Sequence, residues 1–393
     1  TQRDAVVDAE PGRSDLKNLL AKNREGGYNI LVVSRTQKIF GGYFYMKRNK
    51  AVALASIALA GSFVLSGCAA KPSDTLIKVG TPNDKITFGY GNFVAKYNQA
   101  VYDEYYLQYM GEGYWSQEQN GKTMEQSVKD NVIDGIEEQY VDKLHAKDYD
   151  VKLTSDDKKK IKEAAEKFMS ANTDKAIDQI GATEEYVEDL LEYETYQARV
   201  RQKIEDRTDV TVTDDEANQS TISYVCFSTA STTDASGNAV EKTDAEKAAL
   251  KKQAENVAAA SDFDAAAKKE GATVETDSYT TKGDSSEDTT VGADVIDAAK
   301  KLTKEGQISG VIEVKDKGYY VVRMDKLLDK DATAKKKKSL TSEKKQAAYE
   351  KIVKKWKKSA DFELNEKLWK QVTFDDLFTQ KTTASGDASG SAQ

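Results

Sequence analysis

Apolar residues recur every three or four positions over long stretches of this chain, and period-two alternation is confined to a few short ones. Thr75 to Phe88 mixes β-formers with Gly80 and Pro82 and predicts a strand and a turn. From Asn92 to Met110, Phe93, Tyr97, Val101, Tyr105 and Tyr109 form an aromatic stripe at helical spacing. Met124 to Ala146 repeats that pattern with Val128, Val132, Ile136, Tyr140 and Leu144. A third helix is predicted from Thr154 or Ser155, which can cap it, to about Ala171, with Asp156 and Asp157 in its first turn. Gly181 separates two further helices, the second carrying Tyr186, Leu190, Tyr193, Tyr196, Val200 and Ile204 towards Arg207.

The texture then changes. Thr213 and Glu216 make a capping box, and Ile222 to Phe227 reads as a strand. Ser228 to Val240 is a polar loop, Thr243 with Glu246 caps a helix to about Ala260, and Ser261 and Asp264 cap another that stops at Gly271. Residues 272–291 predict short strands and a long mobile loop, Asp294 to Leu302 a helix, and Gly318 to Met324 a buried strand. A last amphipathic helix is expected from Ser339, carrying Tyr349, Ile352, Val353 and Trp356, with a second over Phe362 to Trp369. The tail from Lys381 is rich in Ser, Thr, Gly and Ala and is expected to be disordered.

One apolar run breaks the amphipathic pattern. Ala51 to Leu65 follows the basic Met46-Lys47-Arg48-Asn49-Lys50 and ends in Leu65-Ser66-Gly67-Cys68. Basic, apolar, then small residues ahead of a cysteine is the order of an export signal, and the run is short for a membrane span. It resembles the bacterial lipobox, which implies a diacylglyceryl thioether on Cys68 and cleavage before it. On that reading residues 46–67 are a signal peptide, 68–74 a lipidated tether, and 1–45 translated upstream sequence.

Charge and chemistry narrow the picture. Charged residues make up 32% and the net charge is -8, which argues against a nucleic-acid partner. The basic residues concentrate in 335–358, where eleven lysines face only Glu343 and Glu350, as a solvated helix face or a contact with anionic lipid. With Cys68 lipidated, Cys226 is the remaining thiol of two cysteines, so neither an intrachain disulfide nor a thiolate metal cluster is expected. His145 is the single histidine, which excludes a histidine triad or a two-histidine metal site. No metal or other cofactor is expected.

The sharpest local pattern is Ala298-Ala299-Lys300-Lys301-Leu302-Thr303-Lys304-Glu305-Gly306-Gln307-Ile308-Ser309-Gly310-Val311, followed by Lys317-Gly318-Tyr319-Tyr320-Val321-Val322-Arg323. Together with the strand at Ser223 to Phe227 it resembles the parvulin domain. The order of lipobox, helical segment, strand-helix-helix-helix-strand module and returning helix resembles the PrsA-type foldase lipoproteins and the SurA chaperones. The resemblance implies an α+β protein: a helical chaperone domain from 75–214 and 333–378, an inserted parvulin-like α/β domain at 215–332, and a disordered tail at 379–393.

It also implies a site. The histidine pair of active parvulins falls on Tyr224 and Tyr320, the acidic position on Asp277, and the proline-ring pocket on Val291 and Val295. Both histidines are replaced, which separates fold from isomerase activity. The implied partners are unfolded or newly secreted polypeptides, handled outside the cytoplasmic membrane to which the lipid anchors the chain; a homodimer stays open. Tyr105, Tyr106, Tyr109, Tyr114 and Trp115 are the expected client contacts, since tyrosine-rich surfaces tolerate many sequences. The rival classes are an active prolyl isomerase and a solute-binding lipoprotein, and the scarcity of strands between 90 and 207 argues against the latter.

Overall fold

The computed structural model describes residues 70–233, 239–287 and 290–378, so Cys68, the signal-like run, the upstream segment and the tail from 379 lie outside the described residues. The chain divides into two units, one formed by residues up to 206 with those from 349 onward, the other by 207–348.

In the first unit, β1 (Thr75–Val79) is the central strand of a three-stranded antiparallel sheet, between β2 (Asp84–Thr87) and a strand near the C-terminus. Five helices follow: α1 (Phe88–Met110), α2 (Met124–His145), α3 (Ser155–Ala171), α4 (Asp174–Ile180) and α5 (Glu184–Arg207). The predicted stripes supply the core, with Phe93, Tyr97, Val128, Val132, Ile136, Val200 and Ile204 all buried. The helix α1 starts four residues before the expected Asn92, because Thr87 caps it by accepting from the Tyr90 amide. Two glycines disguise this start. A Cβ on Gly89 would lie 2.1 Å from the Tyr186 hydroxyl, and one on Gly91 2.2 Å from Leu76 Cδ2, so close packing selects residues that helix propensity disfavours.

The second unit is built on a four-stranded antiparallel sheet. Its elements run β3 (Gln219–Ser228), α6 (Asp244–Ala258), α7 (Phe263–Lys269), β4 (Glu275–Thr280), α8 (Ala293–Ala299), β5 (Ile312–Val314) and β6 (Gly318–Asp329), in the spatial order β4-β3-β6-β5. The three helices expected between the long strands β3 and β6 are α6, α7 and α8, with β4 set between the second and the third. The cap of α7 is Asp262, whose carboxylate accepts from the Ala265 amide, and not Ser261 or Asp264.

Alternation along β3 and β6 builds two apolar layers. Val225, Phe227, Tyr319 and Val321 pack with α6 and α7 on one face. Ile222, Tyr224, Tyr320, Val322 and Met324 pack with α8 on the other.

The final helix α9 spans Lys330–Ala360, nine residues longer at its start than the expected Ser339. Asp329 explains this by accepting from the amides of Asp331 and Ala332. The predicted helix over Phe362 to Trp369 is instead β7 (Phe362–Leu364), which pairs with β1, followed by a short helix α10 (Glu366–Trp369). Pairing with the edge of β1 satisfies the backbone there, which the local sequence cannot announce. Among the described residues no helix is long and apolar enough to cross a membrane.

Candidate functional site

Strand register places the predicted site residues. Tyr224 stands opposite Glu275 on β4, and Cys226 opposite Tyr320 on β6. Tyr224 and Cys226 are two positions apart, so Tyr224, Cys226 and Tyr320 share one face of the sheet. The Tyr224 and Tyr320 rings are tilted neighbours with centroids 6.3 Å apart. A cleft of about 670 Å³ opens beside them, with Tyr224, Cys226, Gln253, Glu270, Glu275 and Tyr320 in its wall.

Both phenols are held in their neutral form. Burial raises the Tyr224 hydroxyl well above its ordinary value, and the Tyr224 hydroxyl donates to Glu275 Oε2 at 2.6 Å, which raises it further. Burial likewise raises Tyr320, with Cys226 and Glu275 adding to the effect. The Cys226 thiol is pushed up by burial, opposed by the Tyr320 hydroxyl, so it is poorly suited to act as a thiolate. The cleft thus offers two neutral hydroxyls, able to donate and accept, beside an apolar floor and an exposed carboxylate.

The other predicted residues are distributed unevenly. Asp277 lies on β4 opposite Ile222, on the same face as Glu275, and accepts from the Ser278 amide at 2.9 Å. Val291 and Val295 are fully buried in the cluster under Tyr224 and Tyr320 and do not line the cleft. They are floor, not an open ring pocket. Sequence reasoning missed Glu275, although the period of two that puts Asp277 on this face also puts Glu275 there. It also missed Gln253 on α6 and Glu270 just after α7, which reach the cleft only through the fold.

The tyrosine-rich end of α1 divides in two. Tyr114 and Trp115 are buried, with rings 5.0 Å apart, and Trp115 packs edge-on against Phe374 at 4.6 Å. The Trp115 indole donates to Asp103 Oδ1 at 2.7 Å, which ties that cluster into the core. Tyr106 is half exposed while stacked on Tyr114 at 5.4 Å, and Tyr109 is 79% exposed with Met110 beside it. For Tyr105 only the backbone is described. Of the five predicted client contacts, Tyr106 and Tyr109 are therefore the ones seen to present aromatic surface. His145 stacks on Trp356 at 4.3 Å and pairs with Asp148, a packing role on α2.

Residues 231–334 match the family model of the PPIC-type PPIASE domain. Among solved structures, the foldase protein PrsA from Streptococcus pneumoniae str. Canada MDR_19A is 17% identical, with 65% of this chain and 97% of that chain covered at a TM-score of 0.30. The peptidylprolyl isomerase PrsA from Bacillus cereus is 17% identical over 77% of this chain and 98% of that one, with a TM-score of 0.27. PrsA from Bacillus subtilis is 20% identical over 63% and 90%, with a TM-score of 0.19. No curated protein matches the chain. Whole-chain superposition is loose, and the family match within the second unit carries the assignment. The unit spanning 207–348 holds a domain of the PPIC-type peptidyl-prolyl isomerase family.

Proposed function

We propose that the chain is a membrane-anchored extracytoplasmic foldase that binds unfolded secreted polypeptides. The observation that carries this reading is the PPIC-type match of residues 231–334, in a unit whose open cleft presents Tyr224 and Tyr320. The exposed Tyr106, Tyr109 and Met110 at the end of α1 support it, since amphipathic rings give contact area at low entropic cost without demanding one partner sequence. The lipobox-like Leu65-Ser66-Gly67-Cys68 supports the anchor and the compartment. Aggregation of chemically unfolded clients in the presence of the complete chain tests the reading: suppression near equimolar ratio is expected, and no suppression with several unrelated clients would reject it.

A second reading, catalysis of prolyl isomerisation, is favoured by the paired hydroxyls. Rotation about the prolyl bond has a barrier of roughly 18–20 kcal/mol, and a catalyst must bind the twisted amide better than the planar one. In the twisted amide the nitrogen recovers its lone pair, which a neutral phenol can meet with a hydrogen bond in a partly desolvated cleft. The Tyr320 hydroxyl suits this role better, because its partner is the weakly accepting Cys226 sulfur, whereas that of Tyr224 is donated to the Glu275 carboxylate. Acceleration of a proline-limited refolding reaction by the complete chain, lost in Tyr320→Phe, is the expected result. Unchanged refolding kinetics would restrict the chain to binding.

A further inference from the structure

The last turns of α9 carry four lysines whose charge the other described residues leave unanswered. Lys351, Lys354, Lys355 and Lys358 occupy positions i, i+3, i+4 and i+7, so they stand on one face of the helix. All four are exposed, while Tyr349, Val353 and Ala360 on the opposite side are buried in the first unit's core. Lys357, lying between them, is different: it turns back to Asp134 and Glu137 on α2. None of the four exposed lysines has a carboxylate within ion-pair distance among the described residues. Like charges at this spacing repel and weaken a helix. The stripe is also local, since the chain as a whole has a net charge of -8.

Topology sets this stripe beside the route to Cys68. The end of α9 is held to the end of β1 by hydrogen bonds from the Gly80 amide to Asp361 and from the Thr81 amide to Ala360, both 3.0 Å. The next strand, β7, pairs with β1 through Val79 opposite Phe362 and Ile77 opposite Leu364. Farther along, the Ala70 amide donates to the Gln371 side chain at 3.3 Å. From Cys68 to Gly80 the chain is short enough that even fully extended it spans on the order of 40 Å.

We propose that Lys351, Lys354, Lys355 and Lys358 dock on the anionic headgroups of the lipid surface to which Cys68 tethers the chain. This rests on the anchored reading for the presence of that surface, and adds which face of the first unit meets it. A tether raises the effective concentration of headgroups at the stripe, so contacts too weak to recruit a free protein become occupied. Each lysine near an anionic surface is attracted within about a Debye length, roughly 10 Å at 0.1 M salt.

The test compares binding of the complete chain to vesicles of phosphatidylcholine alone and of phosphatidylcholine with phosphatidylglycerol, for the parent and for a variant with Lys351→Gln, Lys354→Gln, Lys355→Gln and Lys358→Gln. Since each lysine is worth about fivefold in affinity, the variant should lose roughly several hundredfold of the preference for anionic vesicles at low salt. High salt should erase the difference between the two proteins. Replacing all four with arginine should retain the preference, and an unchanged thermal transition should show that the glutamine variant is folded. Equal preference of parent and glutamine variant for anionic vesicles would overturn the proposal. So would binding of soluble polyglutamate without any vesicle preference, which would assign the stripe to acidic polypeptides. Mass spectrometry of Cys68 separates the two readings: an unmodified thiol sinks the anchor but leaves the vesicle comparison as it stands.

Discussion

Tyr349 in the first unit and Tyr224 in the second each donate a hydrogen bond of 2.6 Å to a carboxylate, and their surroundings give the two bonds opposite meanings. The Tyr349 hydroxyl lies between Asp142 Oδ2 and Glu138 Oε1, the latter at 2.9 Å, with the Arg201 guanidinium 5.5 Å from its ring centroid. Asp142 is 0% exposed, and its Oδ1 receives no hydrogen bond among the described residues. One phenol proton cannot serve two carboxylates, so this sealed cluster needs a second proton. Among the described residues the Tyr224 hydroxyl donates to one acceptor, Glu275, whose side chain is exposed at the mouth of a cleft. The same chemistry fixes a helix in one region and leaves hydroxyls available to a ligand in the other.

The widest separation between the two regions should come from pH. Burial, reinforced by Glu138 and opposed by the Tyr349 hydrogen bond and Arg201, pushes the Asp142 carboxyl up to about 8. The folded chain then keeps a proton on Asp142 that the unfolded chain releases near pH 4. Stability of the first unit therefore falls as pH rises from about 4 to about 8, by up to about 5 kcal/mol, and levels off above that. Other groups face the same site: Asp134 and Glu138 on α2, Gln197 and Arg201 on α5, and Lys357 on α9. Asp142→Asn, which copies the neutral acid, should flatten the pH dependence and leave the variant more stable than the parent at pH 9. Urea unfolding followed by tryptophan fluorescence reads this unit selectively, since Trp115, Trp356 and Trp369 all lie in it. An unchanged pH slope in Asp142→Asn would show that Asp142 is not the group retaining the proton.

Tyr349→Phe comes next in size. It keeps the buried ring but removes the hydroxyl from between Glu138 and the fully buried Asp142, and should cost about 3 kcal/mol at neutral pH. Part of that loss should return in the double variant Tyr349→Phe with Asp142→Asn, because the side-chain amide that replaces the Asp142 carboxyl can donate to Glu138. A loss below about 1 kcal/mol would mean that the helix is held by its apolar contacts, Val353 and Trp356, rather than by this cluster.

The two regions were not equally legible in the sequence. Helices α3 and α5 lie where periodicity and the signals at Thr154 and Gly181 place them, because those signals are local. The start of α9 was not, since Lys335 to Lys338 show no apolar period. Its cap, Asp329, is fixed from 108 residues away by the Thr221 hydroxyl, which donates to Asp329 Oδ2 at 2.8 Å. In the candidate site, Tyr224 and Tyr320 were named from the family resemblance alone. Glu275 was not, because its meeting with Tyr224 depends on the register of β4 against β3, which residues 272–291 do not state. The Tyr349 cluster went unread for the same reason: nothing on α2 shows which phenol will arrive from about 207 residues downstream.

Tyr224→Phe should have the smallest effect on stability and the most informative effect on function. Removing its hydroxyl breaks one hydrogen bond at a cleft where Glu275 can take water instead, so the expected cost is no more than about 1 kcal/mol. The tryptophan transition should not move, because the indoles report the other unit. With its partner gone, the exposed Glu275 carboxylate is left to water or to a ligand. Titrating a proline-containing peptide into parent and variant should therefore give different affinities, with the larger difference for a peptide carrying a cation beside its proline. If both proteins bind such peptides equally while Tyr320→Phe does not, ligand contact at this face belongs to Tyr320 and Cys226, and the Tyr224 bond is as structural as that of Tyr349.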